Sequence, residues 1–169
     1  MLTQRSVEIE KDRDFVLSLC CLREFEEMPI WARPASFRQY REGWLRTPQA
    51  ENLIRDIADS MNDLRTAAEI WEEDGKPVGF LWLTFGESEL PGQSAAEVRT
   101  LVVAPEHQRR GIGGLMLRHA EQQAQLLGAT ALRSESAFDN EAARAMHGRQ
   151  GFKVVSYQYE KLLTANGAS

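Results

Sequence analysis

The stretch "VVAPEHQRRGIGGLML" (102–117) sets Gly111, Gly113 and Gly114 beside two adjacent arginines, Arg109 and Arg110, between an apolar run and a helical pattern. Glycine lets a main chain approach a ligand closely, and the N–H groups that open a helix carry partial positive charge. Two guanidiniums added to such a backbone make an anion site, with phosphate the expected anion. Neither of two common phosphate loops fits the spacing. The third glycine of G-x-G-x-x-G would fall on Met116, and no G-x-x-x-x-G-K-[ST] occurs anywhere in the chain.

The elements that must position this loop can be read from patterning. Residues 3–9 suit a short strand, and Asp12 suits the cap of a helix through "RDFVLSLCCLREFEEM" that Pro29 stops. Residues 34–64 are helical in pattern, with Pro34 and Pro48 at helix starts. "AEIWEEDGKPVGFLWLTF" changes to strand period around an Asp-Gly, a strong hairpin signal. A third strand follows in "AAEVRTLVVA", then the glycine-rich loop. The next helix carries Leu117, Ala120, Ala124 and Leu127 at helical spacing and ends at Gly128. A strand (131–137), a helix (about 140–150) and a last strand in "FKVVSYQYEKLL" complete an α/β chain of α+β order.

Bulk properties bound the function. A chain of 169 residues with 43% hydrophobic content fits one domain with one good core. The formal net charge of −5 argues against a nucleic-acid partner and favours a cationic one. The only cysteines, Cys20 and Cys21, are adjacent and offer no disulfide framework, which suits a reducing compartment. No signal-peptide pattern opens the sequence, and "GFLWLTF" (79–85) is too short to span a bilayer, so a cytoplasmic protein without a membrane partner is expected. His107, His119 and His147 do not form a metal-ligand cluster of familiar spacing, and no metal is implied.

The run Gln108-Arg109-Arg110-Gly111-Ile112-Gly113 follows Q-x-x-G-x-G/A between a strand and a helix, and resembles the acyl-CoA loop of the GNAT N-acetyltransferase superfamily. Downstream, "NEAARAMHGRQGF" (140–152) is similar to that family's second signature at Asn140, Ala143, Gly151 and Phe152. The two together cover residues 97–152, while the N-terminal half matches only in its order of elements. The resemblance implies one N-acetyltransferase domain over 1–169, a mixed central sheet of about six to seven strands flanked by helices, and helices 29–66 on the acceptor side. It implies acetyl-CoA as co-substrate, held by a splayed strand pair, with Asn140 and Ala143 among its contacts.

The chemistry of coenzyme A agrees. Its pyrophosphate needs the N–H groups of Gly111, Ile112, Gly113 and Gly114 and the charges of Arg109 and Arg110, next to Gln108. Its pantetheine amides can pair with a strand edge, here Leu101, Val102 and Val103. Acyl transfer to an amine further needs a base, an oxyanion donor and a proton for the departing thiolate. Glu97, on the strand that leads to the acyl end, is the candidate base, against a bland reading as a solvated strand end. A main-chain N–H near Val102 or Val103 is the expected oxyanion donor. Where the family usually presents a Tyr as acid, this chain has His147. Histidine's reference pKa of ~6.5 makes it a usable acid or a bystander. Ser134 and Ser136 share one face of their strand and suit a polar cleft. Trp31, Phe37, Tyr40 and Trp44 suit core filling, or an acidic-aromatic amine pocket with Glu24, Glu26 and Glu27.

The expected function is therefore acetyl transfer from acetyl-CoA to a primary amine of a small molecule, peptide or protein, in a ternary complex. A homodimer is compatible with this reading. A non-catalytic acyl-CoA sensor is the alternative, which the missing Tyr favours.

Overall fold

A computed structural model of the chain describes residues 1–87, 93–161 and 163. The strands are β1 (Leu2–Ser6), β2 (Thr66–Glu73), β3 (Lys76–Glu87), β4 (Ser94–Val103) and β5 (Ala131–Ser134). The helices are α1 (Ile9–Glu27), α2 (Phe37–Trp44), α3 (Pro48–Ser60), α4 (Ile112–Leu126) and α5 (Glu141–Arg149). The sheet runs β1-β2-β3-β4-β5, antiparallel through β4 and parallel between β4 and β5, which α4 connects by a crossover.

The place of β3 explains why "GFLWLTF" is apolar except at Thr84. β3 is the central strand and is buried on both faces. Phe80 and Trp82 enter the core shared with α1, α2 and α3, while Leu81 and Leu83 enter the core shared with α4. Phe80, Leu81 and Leu83 are each fully buried, and each contributes ~1.5–3 kcal/mol on removal from water. The hairpin before it turns at Asp74 and Gly75, with φ of 52° and 75°. Two left-handed residues in a two-residue turn match the twist of the flanking strands.

Several boundaries differ from the sequence expectation. β1 ends at Ser6, and Asp12 lies inside α1 rather than at its start, with Glu8 as the N-cap. Asp12 still serves the helix opening, because its carboxylate accepts the Glu8 N–H at 2.8 Å. It also takes both terminal nitrogens of Arg5 at 2.7 Å, while Arg5 Nε donates to Glu72 at 2.8 Å. α2 opens three residues after Pro34, at Phe37, because Ser36 supplies the cap by accepting the Gln39 N–H. Pro48 is the first residue of α3, as its spacing predicts.

Leu127 is the C-cap of α4 and is exposed, so the apolar stripe ends with Ala124. β5 stops at Ser134 instead of 137. Residues 152–161 form no strand, so the described sheet has five strands rather than six or seven. Phe152 is the last side chain to reach the core; Val154, Val155, Tyr157 and Tyr159 beyond it are exposed. Leu162 and residues 164–169, part of the expected last strand and domain, lie outside the described residues.

Phe37 and Tyr40 pack on the α1-side core and Trp44 is buried in it, its indole N–H donating to Glu24 at 2.8 Å. Trp31, by contrast, is exposed. Cys20 and Cys21 are free and buried, and burial pushes their thiols up to about 12 and about 11. Among the described residues no helix is long and apolar enough to cross a membrane.

Asp12 is only 2% exposed, so its charge is tolerated through its partners. Burial raises its pKa, but the hydrogen bonds from Arg5 and the Glu8 N–H outweigh that and hold it below the usual carboxylate range. The resulting stabilisation is complete above the unfolded carboxyl pKa of ~3.9 and is lost as pH falls through the lower folded value. Asp12→Asn should cost about 3 kcal/mol in urea unfolding at pH 7, near the low end for breaking a buried pair because Glu72 remains. The gap from the parent should shrink as the measurement moves below pH ~4.

Candidate active site

The β4–β5 ladder runs from Ala95–Ala131 to Val98–Ser134 and goes no further. β4 continues to Val103 while the chain leaves β5 towards α5, so Leu101, Val102 and Val103 face a strand only on the β3 side. An open strand edge results, as the splayed-pair expectation requires. On the β3 side, Trp82 pairs with Thr100 and Leu83 with Val98, which makes Arg99 the extra residue of a β-bulge. A bulge sharpens the local twist and bends its strand. Arg99 holds its guanidinium 5.6 Å from the Trp82 ring and 3.7 Å from the Glu97 carboxylate. Glu97, about half exposed, sits opposite Thr84 and Arg133, one residue before the fork.

The glycine-rich turn closes one end of this edge. Gly111 has φ +82° and Arg109 has φ +61°, left-handed conformations that re-aim successive N–H groups. Leu115 is the first residue of α4 whose N–H finds an acceptor, Gly111. The N–H groups of Ile112, Gly113 and Gly114 are thus open at the helix start. A Cβ on Gly113 would lie 3.0 Å from Met146 Sδ, so glycine here lets α5 close over the loop.

The other loop residues divide into two groups. Arg109 is exposed and has no partner among the described residues. Arg110 is bidentate on Glu73, at 2.7 and 2.8 Å, with His107 Nδ1 at 3.0 Å. Gln108 donates its amide to the Val103 carbonyl at 3.0 Å, and the Ile112 side chain is buried in the core. These three side chains brace the turn from within the protein, through Glu73, Val103 and the core.

At the other end, α5 presents His147. Asn140 is the N-cap of α5, its side-chain oxygen accepting the Ala143 N–H at 3.0 Å. The helix closes at Gly151, φ +83°, with the Phe152 N–H bonded back to the His147 carbonyl at 3.1 Å. This is a Schellman ending, in which the residue after the glycine makes an apolar contact with the last turn. Here the Phe152 ring stands 5.2 Å from the imidazole, edge to face. His147 Nδ1 lies 2.7 Å from the Ala143 carbonyl and Nε2 lies 2.8 Å from Ser134 Oγ. A carbonyl only accepts, so Nδ1 carries a hydrogen.

His147, Ser134 and Asn140 line a cleft whose other walls are Thr100 and Leu101 of β4 and the end of α1. From α1 come Arg23, Glu26 and Glu27, and Glu135 joins them from the segment after β5. Burial pushes the Glu26 and Glu27 carboxyls above their ordinary value despite Arg33 and Arg23 respectively, and Glu135 adds to the effect on Glu27. Glu24 is engaged by Trp44 instead and belongs to the α1–α2 contact. Sequence reasoning missed Glu135 and Arg23. Glu135 stands between Ser134 and Ser136 in a run whose odd composition was the available signal. Glu97 does not line this cleft but a separate one with Arg133 and Thr84. Among the described residues no cluster of His, Cys, Asp and Glu could hold a metal ion.

The family model described as the acetyltransferase (GNAT) family matches residues 26–152. The chain belongs to the GNAT acetyltransferase family. No curated protein matches the sequence closely. Among solved structures, a transcriptional regulator from Bacillus halodurans is 16% identical with a TM-score of 0.71, covering 96% of this chain and 100% of its own. The aminoglycoside antibiotic 6'-N-acetyltransferase AAC(6')-Ih from Acinetobacter baumannii is 18% identical with a TM-score of 0.64, covering 96% and 99%. AAC(6')-Iy, in complex with the bisubstrate analogue CoA-S-monomethyl-acetylneamine, is 14% identical with a TM-score of 0.65, covering 95% and 99%. At these identities the likeness establishes the fold of this GNAT protein and no more.

The cap of α5 gives a direct test of how the second signature works. Asn140→Ala should destabilise the fold by about 1 kcal/mol, whereas Asn140→Ser should restore most of it, since both Asn and Ser are good caps. Thermal unfolding of the three proteins side by side reads this; an Ala variant as stable as the parent would show that the cap bond does not hold α5.

Proposed function

We propose that this GNAT protein is an N-acetyltransferase, one unit over residues 1–169, that moves the acetyl group of acetyl-CoA to a primary amine by direct attack in a ternary complex. The fork between β4 and β5 carries the reading. It joins an open helix N-terminus at one end to a polar cleft at the other, along a strand edge free to pair with amides.

Acetyl-CoA would lay its pyrophosphate on the N–H groups of Gly111 to Gly114, with Arg109 as the available cation. Its pantetheine amides would pair with the open edge at Leu101 to Val103, and its thioester would reach the cleft beside His147. An N–H of β4 near Val102 or Val103 would bind the developing oxyanion. The amine would enter from the α1 side, where Glu26, Glu27 and Glu135 favour a cationic acceptor. Glu97 lines the neighbouring cleft one residue before the fork, so it would accept the amine proton through intervening water. The cleft around His147 would return a proton to the thiolate. No metal takes part, and neither a nucleic acid nor a membrane is a partner in this scheme; the expected setting is the cytoplasm, and a homodimer is compatible with it.

Acetyl-CoA at about a hundred times its Kd should stabilise the protein by ~2.7 kcal/mol, raising the melting temperature by about 5–10 °C, while NAD should not. Arg109→Ala should reduce that shift, most visibly at low salt. Arg110→Ala should reduce it less, because Glu73 already neutralises that charge. Thiol release should then appear with one of spermidine, neamine, free lysine or a lysine peptide. Binding without release on any amine would favour the acyl-CoA sensor instead.

Glu97→Gln should lower kcat by roughly 10²–10⁴ at neutral pH with acetyl-CoA binding unchanged. The deficit should shrink as pH rises and the amine deprotonates unaided. A loss of equal size at every pH would assign Glu97 a structural role with Arg99.

A further inference from the structure

We propose that Ser134, rather than His147, is the group that hands the proton to the departing sulfur, with His147 acting through it as the proton reserve. This rests on the acetyl-transfer reading above and names the atom that faces the leaving group.

Both nitrogens of His147 are occupied, Nδ1 by the Ala143 carbonyl at 2.7 Å and Nε2 by Ser134 Oγ at 2.8 Å. The Phe152 ring stands edge-to-face at 5.2 Å and helps fix the imidazole plane. The imidazole therefore has no nitrogen free to reach a sulfur. Ser134 Oγ is free to do so when the imidazole is charged: Nε2–H then donates to the hydroxyl oxygen, and the one hydroxyl hydrogen stays free for the sulfur. Its backbone is fixed as well, since Ser134 is the last residue paired to β4, opposite Val98 at the mouth of the fork. A nucleophile-like hydroxyl bonded to an imidazole that a third group orients is the arrangement that moves protons in hydrolytic sites.

The step balances. The carbon–sulfur bond breaks and its electron pair goes to sulfur. Sulfur takes the Ser134 hydroxyl hydrogen, Oγ takes the Nε2 hydrogen of the imidazolium, and a neutral imidazole protonated on Nδ1 remains. The proton released by the amine recharges it through solvent. The charged groups that share the cleft with the pair are Arg23, Glu26 and Glu27 from α1 and Glu135 beyond β5, while β4 contributes Val98, Thr100, Leu101 and Val102.

Thr and Val have the same shape, so Ser134→Thr and Ser134→Val separate the hydroxyl from its bulk. With acetyl-CoA and the best acceptor among spermidine, neamine, lysine and lysine peptide, thiol release is followed against pH. Ser134→Val should lose about ten- to a hundredfold in kcat, at the low end of acid–base contributions because a CoA thiolate leaves readily. KM for acetyl-CoA and the thermal shift it causes should stay at parent values, which also reports that the variant is folded. The fall in rate at alkaline pH that the relay predicts for the parent should be absent from this variant. Ser134→Thr should keep both the rate and that limb. His147→Phe should lose as much as Ser134→Val, and the double variant no more than either, because one relay is broken in each case. The relay is overturned if Ser134→Val matches Ser134→Thr, or if the double variant loses the product of the two single losses. If the parent binds acetyl-CoA but releases thiol with no amine, the acetyl-transfer reading has failed and the relay with it.

Discussion

The site depends on the parallel ladder between β4 and β5 stopping after four residue pairs. A ladder carried on to Val103 would consume the main-chain groups that a cofactor amide needs and fill the cleft with backbone. Two features keep it short. The bulge at Arg99 turns β4 just past the last pair, and the chain leaves β5 at Ser134 to enter the cap of α5. Strand pairing is therefore spent on holding the fork rigid below Val98 and withheld above it.

Rigid elements on both faces hold the two prongs apart. On one face, α4 buries Ile112, Met116, Leu117 and Ala120 against Leu81, Leu83, Val98 and Val103, which fixes the glycine-rich turn at its N-terminus. On the other, α1 buries Val16, Leu17, Leu19, Cys20 and Cys21 near Phe80, Trp82 and Val102, and its far end delivers Arg23, Glu26 and Glu27 to the cleft. Asp12 anchors the near end of α1 to β1 and, through Arg5, to β2. A 19-residue helix pinned at its start and packed along its length thereby places carboxylates at its end in the cleft beside β4.

The second signature acquires a structural meaning. Asn140 starts α5, Gly151 ends it and Phe152 closes on the imidazole, so the residues that bracket the helix are the ones that aim His147. Ala143 contributes its N–H to the cap and its carbonyl to His147 Nδ1. These contacts are internal to the protein; each prepares the cleft before any ligand enters. The same holds for Gln108 and Arg110 in the loop, whose side chains brace Val103 and Glu73 while the backbone N–H groups stay open.

What the sequence by itself determined is local. Asp74-Gly75 makes the hairpin, Pro48 opens α3, the glycines shape the turn, and Asn140 and Gly151 delimit α5, because each works through the conformations and hydrogen bonds of its near neighbours. The burial of β3 on both faces accounts for a run that is apolar except at Thr84. Tertiary structure decided the rest. The start at Asp12 was misplaced because its carboxylate is drawn into the Arg5 pair while Glu8 caps α1, and the start at Pro34 because Ser36, two residues on, is the cap. Leu127 left its stripe because the helix ended one residue sooner, and the residues 152–161 take up no strand, their side chains beyond Phe152 lying exposed. Which carboxylates face the cleft, which arginine is already neutralised, and that the imidazole meets a serine hydroxyl all depend on contacts between residues distant in the chain or on different elements. Spacing records what a residue can do along the backbone; only packing decides what it meets.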